Sequence, residues 1–216
     1  SIGKSLGCES PNYLIKGITE FNLLTGGKTI LLACLCAGIS VIFCIMLHSF
    51  GKVFKTFSSN PYERVFFGGT LILGTTRYSG TGIEVIASAI GGTARNSDFF
   101  WKMLFTAITL ACGYKGGEII PSFFVGATFG CVIAPILGLS SSLGAAIGMV
   151  SVFCGVTNCP IASLLIALEL FGKAPILYFL LAIAISYMLS GYYSLYKTQI
   201  IAVSKYKNEY VDKKTH

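Results

Sequence analysis

The sequence predicts an all-α polytopic membrane protein made of broken, tilted helices. Three observations lead there. Hydrophobic residues make up 54% of the 216 and charged ones only 12%, with a mean hydropathy of +0.74, far from the composition of a soluble domain. Residues 30–47, 119–168 and 174–196 carry no Asp, Glu, Lys or Arg, and uncharged apolar runs of this kind read as membrane-spanning segments. Gly and Pro interrupt these runs, so the helices are unequal in length and several are half-spans. Broken helices whose N-termini point at a site near the midplane are typical of inverted-repeat transporters. Exposed backbone at that depth is tolerated only where it lines a protein cavity.

The formal net charge of +7 would suit a nucleic-acid partner. Here, however, Lys and Arg gather at segment ends and in the C-terminal tail, as on the cytoplasmic side of membrane proteins. Too few polar residues are interleaved to build a basic groove, so nucleic acid is excluded. The eight cysteines fit no metal spacing and include no C-x-x-C pair. Most lie in apolar stretches, where cysteine acts as a small hydrophobe. No metal and no cofactor is expected. His48 and His216 are the two histidines, one at a helix end and one at the terminus. They assemble no acid–His–nucleophile set, so an enzyme is not expected either.

Taken in order, residues 1–26 form a mixed interfacial or helical segment, with an amphipathic stretch over 13–24. The opening has no signal-like region and looks like the interior of a longer protein. A long helix follows over 27–57, ending in Lys52 and Lys55. Asn60-Pro61 then stops the chain and restarts it. Glu63 and Arg64 precede a shorter helix over 65–73. Gly80 and Gly82 break the backbone before a helix of two or three turns, with Glu84 as a first-turn acid complementing its dipole. Helix 98–112 carries Trp101 as an interfacial anchor.

Residues 113–130, GYKGGEIIPSFFVGATFG, organise the rest. A polar, glycine-dense turn runs directly into an apolar helix over 118–137, with Pro121 where the first helical turn tolerates a missing N–H. The first amides of such a helix lack intrahelical partners and carry the positive end of its dipole, so an anion is the natural ligand. Gly126 and Gly130 form a small-x-x-x-small face suited to close helix contact. Helices over 140–156, 158–171 and 174–189 complete the count at about eight. Lys173, at i+4 from Glu169, predicts a helix-end ion pair. Beyond Tyr192 and Tyr193 an amphipathic, Lys-rich tail follows.

Gly116-Gly117-Glu118-Ile119-Ile120-Pro121, followed by F-F-V-G-A-T-F-G, resembles the second-half anion motif of CLC chloride channels and proton-coupled antiporters, which has the form G-G-x-F-x-P. Residues 159–170 resemble that family's A-P-L-T-G-x-x-x-x-x-E-M/L helix. Residues 190–196, SGYYSLY, resemble the segment holding its anion-coordinating tyrosine. Three ordered motifs at suitable separations weigh more than any one of them. The resemblance covers about residues 27–205 and implies the C-terminal half of the CLC inverted-repeat fold, with 206–216 as a basic cytoplasmic tail.

The resemblance further implies an anion site formed by Gly117 and the backbone N–H groups of Glu118 and Ile119, joined by the Tyr196 hydroxyl. Gly116, Ile120 and Pro121 would support the loop. Tyr192 and Tyr193 are rivals for the tyrosine role. Chloride-type members carry an apolar residue where Glu118 stands. A glutamate there is similar to the fluoride-exporting branch, which has threonine where this chain has Ile120. An ionised Glu118 would repel an anion, so it must point away, pair with Lys115 or be protonated.

The expected function is transmembrane transport of a halide, chloride or fluoride, by a voltage-gated-type channel or a proton antiporter. Expected partners are the halide, protons, a second copy of the chain and the missing N-terminal half. That half carries the family's G-S-G-I-P and G-K/R-E-G-P turns, neither of which occurs here. Dimerisation would use the helices over 158–171 and 174–189. The setting would be the plasma membrane, with the tail and the Lys52/Lys55/Arg64 turn on the cytoplasmic side. An unrelated broken-helix secondary transporter and a non-transporting membrane scaffold are the alternatives.

Overall fold

In a computed structural model the described residues are 13–18, 20–57, 60–72, 78, 80–114, 116–196, 198–207 and 209–215. Among them are eight α-helices: α1 (Leu23–Phe57), α2 (Pro61–Ile72), α3 (Ile83–Ile90), α4 (Asp98–Ala111), α5 (Ile119–Ile133), α6 (Ser141–Thr157), α7 (Pro160–Phe171) and α8 (Ile176–Leu189). A 3-10 turn, Ala134–Leu137, closes α5, and two short strands, β1 (Ile200–Val203) and β2 (Tyr210–Lys214), pair antiparallel near the end. The lengths are as uneven as the Gly and Pro pattern predicts. The 35 residues of α1 reach about 52 Å, whereas the 15 of α5 reach about 22 Å, short of a ~30 Å hydrocarbon core. With its 3-10 extension, however, Ile119–Leu137 joins Leu23–Phe54 as a stretch long and apolar enough to cross.

The centre of the fold is the hairpin of α5 and α6. Every residue of α6 from Ser142 to Thr157 is buried, as expected of a helix that is apolar all round. Gly126 and Gly130 meet Gly148 and Gly144 so closely that a Cβ on Gly126 would overlap the Gly148 carbonyl oxygen. The small-residue face predicted on α5 is therefore half of a reciprocal four-glycine contact. On its other side α6 receives α1, where a Cβ on Gly155 would overlap Ser40, and α8, whose Ser186 hydroxyl donates to the Ser151 carbonyl at 2.6 Å. Helix α1 also packs against α8 and α4, and α3 lies against α5 and α6.

The starts and stops follow local chemistry. Asn60 accepts from the Tyr62 amide (3.1 Å) and Pro61 opens α2, the restart predicted there but four residues earlier than expected. Gly80 (φ +77°) and Gly82 (φ +70°) turn the chain into α3, whose first turn holds Glu84. Pro135, lacking an N–H, ends α5 in the 3-10 turn four residues before the helix over 118–137 was expected to stop.

Three local expectations change. Described residues of the 13–22 stretch are not helical. They are strapped across the fold by Tyr13 N–H to the Leu170 carbonyl (2.9 Å) and Lys16 N–H to Ser142 Oγ (2.9 Å). Glu169 and Lys173 form no ion pair, because α7 ends at Phe171 and Gly172 (φ +75°) carries Lys173 off the helical i+4 position. The tail expected to be amphipathic contains a strand pair: Tyr210–Lys214 folds back on Ile200–Val203.

Candidate anion site

Helix α5 begins directly after the glycine-rich turn. Glu118 is its N-cap residue and its side chain makes no capping hydrogen bond. The first helical bond runs from the Ser122 amide to the Glu118 carbonyl, at 3.2 Å. Pro121 has no N–H, so the unsatisfied donors are the amides of Glu118, Ile119 and Ile120, none of which is bonded among the described residues. Gly116 and Gly117 are exposed and have open space where a Cβ would stand, so the approach to these amides is clear. Pairing of Glu118 with Lys115 lies outside the described residues.

Gly116, Gly117, Ile120 and Pro121 also wall a cavity of about 590 Å³ between α5, α4 and the turn before α3. Its polar lining comes from Tyr78, Thr81, Lys102, Thr106, Thr109 and Tyr114. Glu118, Ile119 and Tyr196 do not line it. Sequence reasoning passed over Lys102, which is 2% exposed and donates to the carbonyls of Tyr78 (2.9 Å) and Gly80 (2.8 Å). A single lysine inside the apolar run FFWKMLF was the available signal, since an ionisable group at such a position needs a buried partner.

Tyr196 belongs to a loop docked on the C-terminal end of α6. The Leu195 amide donates to the Val156 carbonyl (2.9 Å), Gln199 Nε2 to the Thr157 carbonyl (3.0 Å) and Asn158 Nδ2 to the Tyr193 carbonyl (2.9 Å). The pairs Gly126–Gly148 and Gly130–Gly144 set an antiparallel register between α5 and α6. Continued for two turns, that register brings Val156 level with Glu118. The loop bearing Tyr196 and the N-terminal amides of α5 are thus at the same end of the central hairpin. The Tyr192 hydroxyl is hydrogen-bonded to Ser204 Oγ at 3.0 Å. Tyr196 is 42% exposed and its hydroxyl has no partner among the described residues.

The chain resembles known proteins in sequence and in fold. The family model described as "Voltage gated chloride channel" matches residues 4–191. The chain belongs to the CLC family. A chloride/fluoride channel protein of Pseudomonas syringae pv. tomato is 32% identical over 95% of this chain and 48% of its own length. The crystal structure of a CLC-type fluoride/proton antiporter superposes with a TM-score of 0.83 at 28% identity, over 89% of this chain and 51% of that one. The chain therefore spans about half the length of these relatives. Its fold is the CLC membrane fold over that half, and the expected family resemblance is borne out.

Proposed function

We propose that this chain supplies the second half of a transmembrane halide pathway in a CLC-type channel or proton-coupled antiporter. The observation that carries the reading is the α5 N-terminus: the amides of Glu118, Ile119 and Ile120 have no partner among the described residues, are open at Gly117, and are level with the Tyr196 loop. Oriented N–H dipoles and a neutral hydroxyl replace an anion's hydration shell without placing a full positive charge beside it, so the ion binds and leaves again. Gly116, Ile120 and Pro121 hold the loop in this shape. The function is transport rather than enzyme chemistry.

Glu118 and the fluoride named for both relatives favour fluoride as the halide that moves best. The exposed apolar side chains of Ile161 and Leu165 on α7 and Leu177 and Leu180 on α8 suit a homodimer contact within the membrane. The protein would sit in the plasma membrane with the basic tail (206–216) cytoplasmic, and the complementary half of the pathway would be the N-terminal repeat.

Halide efflux from liposomes holding the intact protein, under imposed pH gradients and with Tyr196→Phe alongside, tests the proposal. Uphill halide movement driven by protons establishes an antiporter, and downhill flux that ignores pH establishes a channel. Absence of halide flux from folded dimer overturns the transport reading and leaves a membrane scaffold.

A further inference from the structure

Lys205 lies in the turn of the β1–β2 hairpin and is only 8% exposed. Its Nζ donates to the Tyr187 carbonyl (2.8 Å) and to Ser190 Oγ (3.1 Å), both at the C-terminal end of α8, and to Asn158 Oδ1. It also stands over the Tyr187 ring, 4.2 Å from the centroid. Three acceptors match the three N–H donors of an ammonium group. No carboxylate pairs with it among the described residues. A buried cation held by dipoles alone is an expensive way to fix a surface turn, so its geometry calls for a use.

That use is visible one step further along. Asn158 ends α6 in the left-handed region (φ +58°), and its side-chain amide faces two ways. Oδ1 accepts from Lys205 and Nδ2 donates to the Tyr193 carbonyl. An ammonium can only donate and a carbonyl can only accept, so chemistry fixes the orientation of the amide. Beyond Tyr193, Ser194 Oγ accepts from the Tyr196 amide (3.2 Å), and Thr215 Oγ1 donates to the Tyr196 carbonyl (2.7 Å). Both backbone groups of Tyr196 are thus engaged, while its hydroxyl has no partner among the described residues.

We infer that Lys205 is a positioning residue for Tyr196, acting through Asn158 to hold the tyrosine loop against the ends of α6 and α8. The inference rests on the halide reading of Tyr196 for its functional meaning and on the Lys205–Asn158–Tyr193 relay for its geometry.

The test places 3-fluorotyrosine at position 196 of the intact protein in lipid nanodiscs and records its fluorine resonance during sodium fluoride and sodium chloride titrations. In the natural background a single resonance moves on halide addition. Lys205→Met displaces or splits it and weakens halide binding roughly tenfold, the loss expected for one hydrogen bond to a charged group. Asn158→Gly, which keeps the left-handed backbone and removes the relay, does the same. It decides the question if Lys205→Met does not fold. In liposome flux, Lys205→Met combined with Tyr196→Phe is no weaker than Tyr196→Phe alone. An unchanged resonance in both relay variants, or losses that add in the double variant, overturns the inference. A natural-background resonance that ignores both halides sinks the halide reading instead, and the positioning claim is then decided by the relay variants alone.

Discussion

Gly130 of α5 and Gly144 of α6 stand back to back. A Cβ on Gly130 would overlap the Gly144 carbonyl oxygen, and one on Gly144 would overlap the methyl group of Ala134. The obstacles are backbone and a neighbouring Cβ, which cannot swing aside as a long side chain does. Gly130→Val should therefore lower stability by about 3 kcal/mol or more, the upper range for overpacking, read as a fall in the thermal midpoint in detergent. Gly38→Ala, inside α1 with nothing within 4 Å of the new methyl, should instead gain up to about 1 kcal/mol from helix propensity. Equal tolerance of both substitutions would show that the central hairpin is not held by glycine contact.

Glu118 sits at the end of the helix dipole that the halide would use. An ionised carboxylate there satisfies the dipole itself and repels an incoming anion. Halide binding should therefore be tighter at acidic than at neutral pH. Glu118→Gln, of the same size and uncharged, should bind equally at both. Calorimetric titration of the detergent-purified protein with fluoride checks this. A variant that retains the full pH dependence would remove Glu118 from the linkage.

The apolar runs made the helices legible, because uncharged length is an additive signal that no single contact can reverse. The glycine-rich turn was legible for a related reason: G-Y-K-G-G-E-I-I-P joins turn residues, a helix start and a proline in one local pattern. What stayed hidden depends on contacts distant in sequence. Lys205 looked like one more tail lysine, and only the folded hairpin brings it to Asn158, 47 residues away. The sequence reads 13–24 as an amphipathic stretch, yet its start is shaped by contacts of Tyr13 with Leu170 and of Lys16 with Ser140 and Ser142. The expected Glu169–Lys173 pair failed because the i+4 rule assumes a continuous helix, and Gly172 ends it between the two.

Burial pushes the Lys205 amine down to about 8 from the ordinary lysine value of 10.5, with the nearby Cys154 thiol opposing the shift. The unfolded chain then holds this proton over a range where the folded protein has released it. Stability rises with pH wherever the unfolded state binds more protons, so Lys205 should make the protein more stable as pH climbs from about 8 to about 10.5. Below about 8 both states are protonated and the contribution is flat. Thermal midpoints across this interval, compared between the natural chain and Lys205→Met, isolate the effect from other titrating lysines and tyrosines. The variant should lack the rise, and an identical slope in the two would refute it.

Lys102 does for the cavity wall what Lys205 does for the tyrosine loop. Its Nζ holds the carbonyls of Tyr78 and Gly80 and lies 5.2 Å from the centroid of the Phe124 ring, while Tyr78 donates its hydroxyl to the buried Asp98 at 2.8 Å. Gly82, next along, presses on the same Phe124 ring, 2.7 Å from where its Cβ would be. The turn before α3 is thus pinned by one lysine and one aromatic face. Lys102→Met preserves the volume but leaves two carbonyls without their donor, a loss of about 1–3 kcal/mol. The damage should be local, because α3 is only eight residues long and depends on that turn for its entry angle. Hydrogen exchange should therefore quicken across Ile83–Ile90 while α6, buried at the centre, keeps its protection. Uniform acceleration of both helices would mean that Lys102 supports the whole bundle, and no acceleration in α3 would mean that the turn holds without it.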